Sequence, residues 1–158
     1  MNEQDEHFLR QAISLAREGM ERGDGGPFGC VIVKDGQVVA TGNNRVTSSN
    51  DPTAHAEIVA IRAACAQLNS FQLEGCTVYT SCEPCPMCLG ALYWARPARI
   101  VYAATRQDAA DAGFDDSLIY EELPLDPADR RYAMENGFRE EAQAVFQAWK
   151  AMPGKVGY

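Results

Sequence analysis

Two short motifs, thirty residues apart from histidine to first cysteine, constrain this chain more than any other feature. Thr53-Ala54-His55-Ala56-Glu57 offers an imidazole and, two residues later, a carboxylate; Glu83-Pro84-Cys85-Pro86-Met87-Cys88 offers two thiols. One nitrogen and two sulfur ligands suit Zn²⁺, and a catalytic zinc keeps its fourth position for water. The sequence therefore predicts that His55, Cys85 and Cys88 bind zinc and that Glu57 moves protons to and from the bound water.

Local sequence around both motifs predicts that the ligands lie at the beginnings of helices. Cys85 precedes Pro86, so Cys85 is a natural N-cap with proline at the first helical position. Asp51 or Thr53 is the expected cap of the other helix, which places His55 in its first turn. Two helix N-termini that converge on one site favour thiolates electrostatically.

The main alternative is a structural zinc site. Cys82 extends the pattern to Cys82-x-x-Cys85-x-x-Cys88, and with His55 a closed site of three cysteines and one histidine is conceivable. Such a site has no use for Glu57 beside its ligand, and Cys82 is expected inside the end of a strand. We therefore favour the open, catalytic site. A disulfide is not expected in a chain without an export signal.

Bulk composition predicts one globular domain in a reducing compartment. The chain has 158 residues, 46% hydrophobic and 23% charged, which is ordinary for a single domain. It shows neither an N-terminal signal nor an apolar run of membrane-spanning length. We therefore expect a cytoplasmic protein without a membrane partner, in which Cys30, Cys65 and Cys76 are small buried side chains.

Net charge argues against a nucleic-acid partner. The formal charge is −8, whereas nucleic-acid affinity comes mainly from Lys and Arg on phosphates. Arg96, Arg99 and Arg106 could form a basic patch, but three arginines against 22 acidic residues are a weak footprint. The expected partner is a small molecule.

Hydrophobic periodicity predicts an α/β fold. We expect helices at about 5–20, 53–68, 86–95 and 139–151, and strands at 28–33, 37–41, 77–81 and 99–103. The last two strands flank a short helical crossover and should be parallel. Both motifs then meet at one end of the sheet, where open α/β sheets bind ligands. In the final helix Phe138, Ala142, Val145, Phe146 and Trp149 fall on one face, which is more often core than interface.

The two motifs match the His-x-Glu and Pro-Cys-x-x-Cys signature of zinc deaminases, and longer stretches make the resemblance more specific. Gly26-Pro27-Phe28-Gly29, residues 49–57, residues 79–91 and Ala112-Gly113-Phe114-Asp115-Asp116 resemble the bacterial guanine deaminases of the cytidine deaminase superfamily. The similarity runs nearly end to end and is loosest beyond about Leu123. The zinc motifs alone identify only the superfamily.

The resemblance implies an α/β, three-layer α/β/α sandwich with a mixed five-stranded sheet. It implies one Zn²⁺ per subunit and a homodimer of single deaminase domains, residues 1–158, in which 124–158 is a segment exchanged between subunits. It also implies a purine base as substrate, bound by Phe28, Asn44, Ala56, Asp116 and Tyr158. Asn44 would hydrogen-bond the purine, Phe28 would stack on it, Asp116 would accept from guanine N–H groups, and Tyr158 would close the neighbour's site.

Each of these residues has a simpler interpretation. Asn44 could be a turn asparagine, with Asn43 its rival by position. Phe28 could be plain core, and either Asp115 or Asp116 could cap the next helix. A terminal tyrosine such as Tyr158 usually frays. Glu121 and Glu122 could assist proton transfer near the site, but they rank no higher than solvated surface residues.

Three other functions compete with guanine deamination. A tRNA adenosine deaminase shares the zinc motifs but would need a basic face. A deaminase of cytosine, cytidine, guanosine or a triazine would use the same chemistry in a different pocket. A zinc-binding module without turnover would not need Glu57.

Overall fold

The computed structural model describes all residues, 1–158, and divides them into two compact units, residues 1–116 and residues 117–158. The first unit contains five helices and four strands: α1 (Glu3–Glu21), β1 (Gly29–Lys34), β2 (Gln37–Asn43), α2 (Val46–Ser49), α3 (Ala56–Leu68), β3 (Cys76–Cys82), α4 (Pro86–Ala95), β4 (Arg99–Ala104) and α5 (Arg106–Asp111). The second contains α6 (Ser117–Glu122), a short 3-10 helix (Pro127–Asp129) and α7 (Arg139–Ala151). No helix is both long and apolar enough to cross a membrane.

The first unit is built on one mixed sheet with the strand order β2-β1-β3-β4. β1 pairs antiparallel with both β2 and β3, whereas β3 and β4 are parallel. The four predicted strands and the parallel crossover through α4 are therefore confirmed. The helices α2 and α5 were not predicted, because short helices carry too few residues for a periodic pattern.

The expectation of a five-stranded sheet is wrong, since the sheet has four strands. After β4 and α5 the chain turns at Gly113, whose φ is +95°, and continues into the short helix α6. Pro124 and Pro127 follow, and proline cannot donate to a strand ladder. The residues after α5 therefore add no strand to the sheet.

Alternation along the strands gives the sheet two apolar faces and the first unit three layers. Val31 and Val33 of β1 pack with Phe8, Leu9 and Ala12 of α1. Cys30 and Ile32, the alternate residues, pack on the other side with α3 and α4. Side chains on successive strand positions point to opposite faces, so this arrangement follows from the sequence pattern.

One charged residue belongs to the α1 layer and was not predicted there. Asp5 is 2% exposed and accepts from Arg99 Nη1 and Nη2 at 2.8 and 2.9 Å and from Tyr79 Oη at 2.9 Å. The Arg99 guanidinium holds the pKa of Asp5 well below its usual range. A buried carboxylate is tolerated because its oxygens are paired and hydrogen-bonded.

In the second unit the apolar face of α7 is exposed. Val145, Phe146 and Trp149 expose 68%, 66% and 43% of their surface, and no residue of α7 is buried. The expectation that this stripe belongs to the core is therefore wrong for the single chain. Periodicity identifies an amphipathic helix but not what covers its apolar face.

Candidate metal and substrate site

The helices α3 and α4 begin at the predicted zinc ligands. Cys85 is the N-cap of α4, Pro86 occupies the first helical position and Cys88 the third, as predicted. His55 is itself the N-cap of α3, which begins at Ala56. The prediction of a helix that begins at Asp51 or Thr53 is wrong. Asp51 Oδ1 instead accepts from Thr53 N and Oγ1 at 2.8 and 2.7 Å, so its carboxylate closes a local turn before the helix.

The beginning of α3 packs tightly against the end of β2. A Cβ atom on Gly42 would collide with the Ala56 carbonyl oxygen and with the Ala60 backbone nitrogen. Glycine at this position therefore lets the α3 backbone approach the strand closely. The Arg45 N–H donates to the Ala54 carbonyl oxygen at 2.9 Å, which places the residue after Asn44 next to the residue before His55.

The structure brings three ligand atoms together. His55 Nδ1 lies 3.5 Å from both Cys85 Sγ and Cys88 Sγ, and the three atoms lie within 4.8 Å of one another. A tetrahedral zinc with ordinary Zn–N and Zn–S bonds holds a nitrogen and a sulfur about 3.6 Å apart. The spacing and the soft donor set therefore fit Zn²⁺.

Cys82 does not belong to this group. It ends β3, and its thiol donates to the Thr105 carbonyl oxygen at 3.5 Å. Burial raises the pKa of Cys82 to about 11, so this thiol stays protonated at neutral pH. All six cysteines are free of disulfides. The site therefore has three protein ligands, and a tetrahedral zinc bound there would have its fourth position open to another molecule.

The two thiol ligands have opposite electrostatic character. Hydrogen bonds from Cys88 and His55 lower the pKa of Cys85 to about 4. The thiol of Cys88 shares its proton with Cys85 and is buried, and both effects raise the pKa of Cys88. The hydrogen bond to Cys85 also raises the pKa of His55. With its pKa lowered, Cys85 offers a thiolate to a cation at neutral pH.

Glu57 lies beside the ligands but outside the ligand group. It is the second residue of α3, is 6% exposed, and interacts with Cys88 and Cys85. Burial raises the pKa of Glu57. A carboxyl group with a raised pKa next to a metal site holds a proton more readily than an exposed carboxylate and can pass it on.

Asn44 is buried beside this site with a fixed amide orientation. Its side chain is 6% exposed, and Oδ1 accepts from the backbone N–H groups of Gly26 and Val46 at 3.2 and 3.1 Å. Two donors on the oxygen define which end of the amide is which. The Nδ2 group is therefore the part of Asn44 that can donate to a ligand.

Asn43, the rival by position, is occupied elsewhere. Its Nδ2 donates to Asp24 Oδ2 at 2.9 Å and to the Asn44 carbonyl oxygen at 3.3 Å. Sequence reasoning did not single out Asp24, because nothing local in Gly23-Asp24-Gly25 indicates a partner nineteen residues away.

The remaining predicted substrate residues occupy distinct positions. Phe28 packs edge-to-face on Phe114 with ring centroids 4.9 Å apart, and both line an apolar cavity of about 350 Å³ between α1, β4 and α5. Ala56 is fully buried. Asp116 is half-buried; burial and the nearby Cys85 raise its pKa. Tyr158 lies in the second unit and is 72% exposed.

Residues 2–104 match the family described as the cytidine and deoxycytidylate deaminase zinc-binding region. The chain belongs to this family of zinc-binding deaminases, and it has the cytidine deaminase-like α/β fold. It is 55% identical to a guanine deaminase of Bacillus subtilis over 97% of its length and 98% of the relative's. The crystal structure of the Bacillus subtilis guanine deaminase matches all of this chain with a TM-score of 0.95.

The similarity to other deaminases is shorter. A tRNA-specific adenosine deaminase of Aquifex aeolicus is 42% identical over 63% of this chain and 65% of its own length. The similarity to guanine deaminase therefore extends through a much larger part of the chain than the similarity to this tRNA enzyme.

Proposed function

We propose that this protein is a zinc-dependent guanine deaminase that hydrolyses guanine to xanthine and ammonia. The observation that carries the proposal is the 55% identity to a guanine deaminase over 97% of the chain. The buried Glu57 beside His55, Cys85 and Cys88 supplies the hydrolytic chemistry. The net charge of −8 favours a small substrate over a polyanionic tRNA.

His55, Cys85 and Cys88 hold the zinc, which when bound lowers the pKa of a water molecule and polarises it as a Lewis acid. Glu57 would take a proton from the attacking water as the water oxygen bonds to the ring carbon that carries the amine. It would pass this proton to the adjacent ring nitrogen and transfer the second proton, from the new C–OH group, to the amine, which would leave as ammonia. One water is consumed, one C–N bond breaks and one C–O bond forms.

Four residues bind the base. Asn44 donates through Nδ2, because its Oδ1 already accepts two backbone bonds. The ring of Phe28 stacks on the purine, and Ala56 leaves room beside the metal ligands. Asp116 accepts from the N–H groups of guanine, which adenine and cytosine do not present together. With the wrong base, this half-buried carboxylate would lose its partners, and that cost discriminates between substrates.

The functional unit is a cytoplasmic homodimer of single-domain subunits, in which residues 124–158 are exchanged and Tyr158 closes the partner's site. Two features support the exchange. The apolar face of α7 is exposed within its own chain, and residues 1–116 carry an apolar cavity beside Phe28 that a helix from another subunit can cover. Pro124 and Pro127 stiffen the connection between the two parts.

Ultraviolet-monitored deamination by the zinc-loaded protein tests the proposal, in parallel on guanine, guanosine, adenine, cytosine, cytidine and an aminated triazine. A tRNA anticodon stem-loop serves as a further substrate. Rapid conversion of guanine alone is the expected result. Preferential turnover of cytosine, adenine or the tRNA substrate would keep the zinc chemistry and contradict the assigned substrate.

A further inference from the structure

Asp24 lies at the centre of a hydrogen-bond cluster that includes Asn43 and the backbone of Asn44. Its carboxylate accepts from Arg22 Nε and Nη2 at 3.1 and 2.8 Å and from Asn43 Nδ2 at 2.9 Å. The same Asn43 Nδ2 reaches the Asn44 carbonyl oxygen at 3.3 Å. The Asp24 side chain thereby fixes the backbone immediately around Asn44.

Both backbone donors to the Asn44 amide belong to segments that Asp24 holds. Gly26 lies two residues after Asp24 in the same loop. Val46 begins α2, and the Asp24 carbonyl oxygen accepts from Ser48 N and Oγ at 3.3 and 2.6 Å. The Asp24 N–H in turn donates to the Gly19 carbonyl oxygen at 2.9 Å, which anchors the loop to α1.

The loop that contains Asp24 packs directly against the Asn44 amide. A Cβ atom on Gly25 would overlap Asn44 Oδ1, so the loop backbone lies directly against the amide. The Asn44 N–H donates to the Phe28 carbonyl oxygen at 3.0 Å, which ties Asn44 to the residue that stacks on the base. Main chain and side chain of Asn44 are thus both held by residues 24–28.

We infer that Asp24 is a positioning residue for substrate recognition: through the hydrogen bond to Asn43, its carboxylate orients the Asn44 amide so that Nδ2 donates to an acceptor atom of the purine. This inference rests on the proposed function for the identity of the ligand. It assigns Asp24 no contact with the substrate. A correctly oriented donor discriminates between ligands, whereas a mobile one loses this selectivity.

Five proteins test the inference: the unsubstituted enzyme, Asp24→Ala, Asp24→Asn, Asn44→Ala and Asp5→Ala. Asp5 is the matched control, because it also holds an arginine through two hydrogen bonds but lies among α1, β3 and β4 residues. All of these proteins also carry Glu57→Gln, which slows turnover, and calorimetry measures the dissociation constants of guanine, 3-deazaguanine, 7-deazaguanine and 2-aminopurine. The first two analogues each lack one ring acceptor of guanine, whereas 2-aminopurine lacks O6 and with it the N1–H donor.

In the unsubstituted enzyme and in Asp5→Ala, loss of the acceptor that faces Asn44 should weaken binding by about 3- to 10-fold, the range of a neutral hydrogen bond. In Asn44→Ala and in Asp24→Ala this penalty should disappear for the same analogue. Asp24→Asn, which keeps an acceptor for Asn43, should restore most of it. An undiminished penalty in Asp24→Ala would overturn the inference, because a merely structural role weakens all four ligands equally.

A second readout does not depend on the substrate. In nitrogen-15 spectra, the side-chain amide signals of Asn44 should shift or broaden in Asp24→Ala and stay unchanged in Asp5→Ala. Unchanged Asn44 signals in Asp24→Ala would also overturn the inference. If the unsubstituted enzyme neither binds nor deaminates guanine, the proposed function fails, and the spectra still decide the role of Asp24.

Discussion

Residues 1–116 and residues 117–158 place their apolar side chains in opposite ways. In the first unit Ile32, Leu73 and Leu92 are fully buried, and two apolar clusters cover both faces of the sheet. In the second unit no residue is buried, and Phe138, Val145 and Phe146 are mostly exposed. The first unit thus has its own core, whereas the second presents the kind of apolar surface that marks an interaction site.

The residues predicted to carry out the chemistry and the residue predicted to close the site belong to different units. All predicted metal ligands, Glu57 and four of the five predicted substrate residues belong to residues 1–116. Only Tyr158 belongs to the second unit. A protein built this way can bind metal with one subunit and still need a second subunit to complete its pocket.

The largest expected effect is on the metal site. Cys88→Ser should lose zinc and lower guanine turnover by at least about 10³-fold, because a hydroxyl is a poor replacement for a soft thiolate ligand. Cys82→Ser, which changes a thiol outside the ligand group, should retain one zinc per chain. Atomic absorption and initial rates measure both. A loss of zinc in Cys82→Ser would mean that the site is the closed, structural one.

The next effect tests the exchange of residues 124–158. Glu57→Gln and Tyr158→Ala chains, each weakly active alone, should regain activity when they are refolded together. If the tail closes the neighbour's site, the mixed dimer has one complete site, and random pairing gives about a quarter of the full activity. Refolding each variant alone is the control. No recovery in the mixture would mean that each tail serves its own chain.

A smaller effect compares the two apolar surfaces directly. Leu92→Ala should lower the free energy of unfolding by about 2–5 kcal/mol at any protein concentration, because Leu92 is fully buried within the first unit. Val145→Ala should cost less than about 0.5 kcal/mol in dilute protein and more at high concentration, where a second subunit covers α7. Urea denaturation at two concentrations measures this. A small cost for Val145→Ala that is the same at both concentrations would contradict the covering of α7 by a second subunit.

The smallest effect concerns pH and the buried Asp5. The pKa of Asp5 is depressed in the folded protein by Arg99, so its carboxylate stabilises the fold fully above the unfolded pKa of about 4. This stabilisation is lost as the pH falls from about 4 towards the folded pKa. Melting temperatures between about pH 6 and pH 3 should therefore fall more steeply for the unsubstituted protein than for Asp5→Asn. If the melting temperatures of the two proteins fell in parallel with pH, a stabilising role of the ionised Asp5 would be contradicted.

Sequence alone predicted the parts of the site whose chemistry is local. The residue types and spacing of His55, Cys85 and Cys88 are those of a zinc site, and the Cys85-Pro86 pair by itself predicts where helix α4 begins. The four strands followed from hydrophobic periodicity. These features were predictable because short segments determine them.

One error is local: Asp51 or Thr53 was expected to cap α3, but the Asp51 carboxylate accepts from Thr53 two residues away. The other errors and omissions involve long-range contacts. Asp24 and Asn43 meet across nineteen residues, and Asp5 meets Arg99 across ninety-four. The stripe on α7 has the same periodicity whether its own chain or another covers it. Tertiary and quaternary packing decides such cases, and a single sequence does not contain that information locally.

The most direct test of the central claim is guanine turnover and zinc content measured on the same samples of the unsubstituted protein and Glu57→Gln. We expect one zinc per subunit in both, conversion of guanine to xanthine by the unsubstituted protein, and a fall in turnover of about 10²- to 10⁴-fold in Glu57→Gln, the usual contribution of a general acid–base group. Full activity in Glu57→Gln with zinc bound would contradict the assigned role of Glu57, and no turnover of guanine by the zinc-loaded, unsubstituted protein would contradict the function itself.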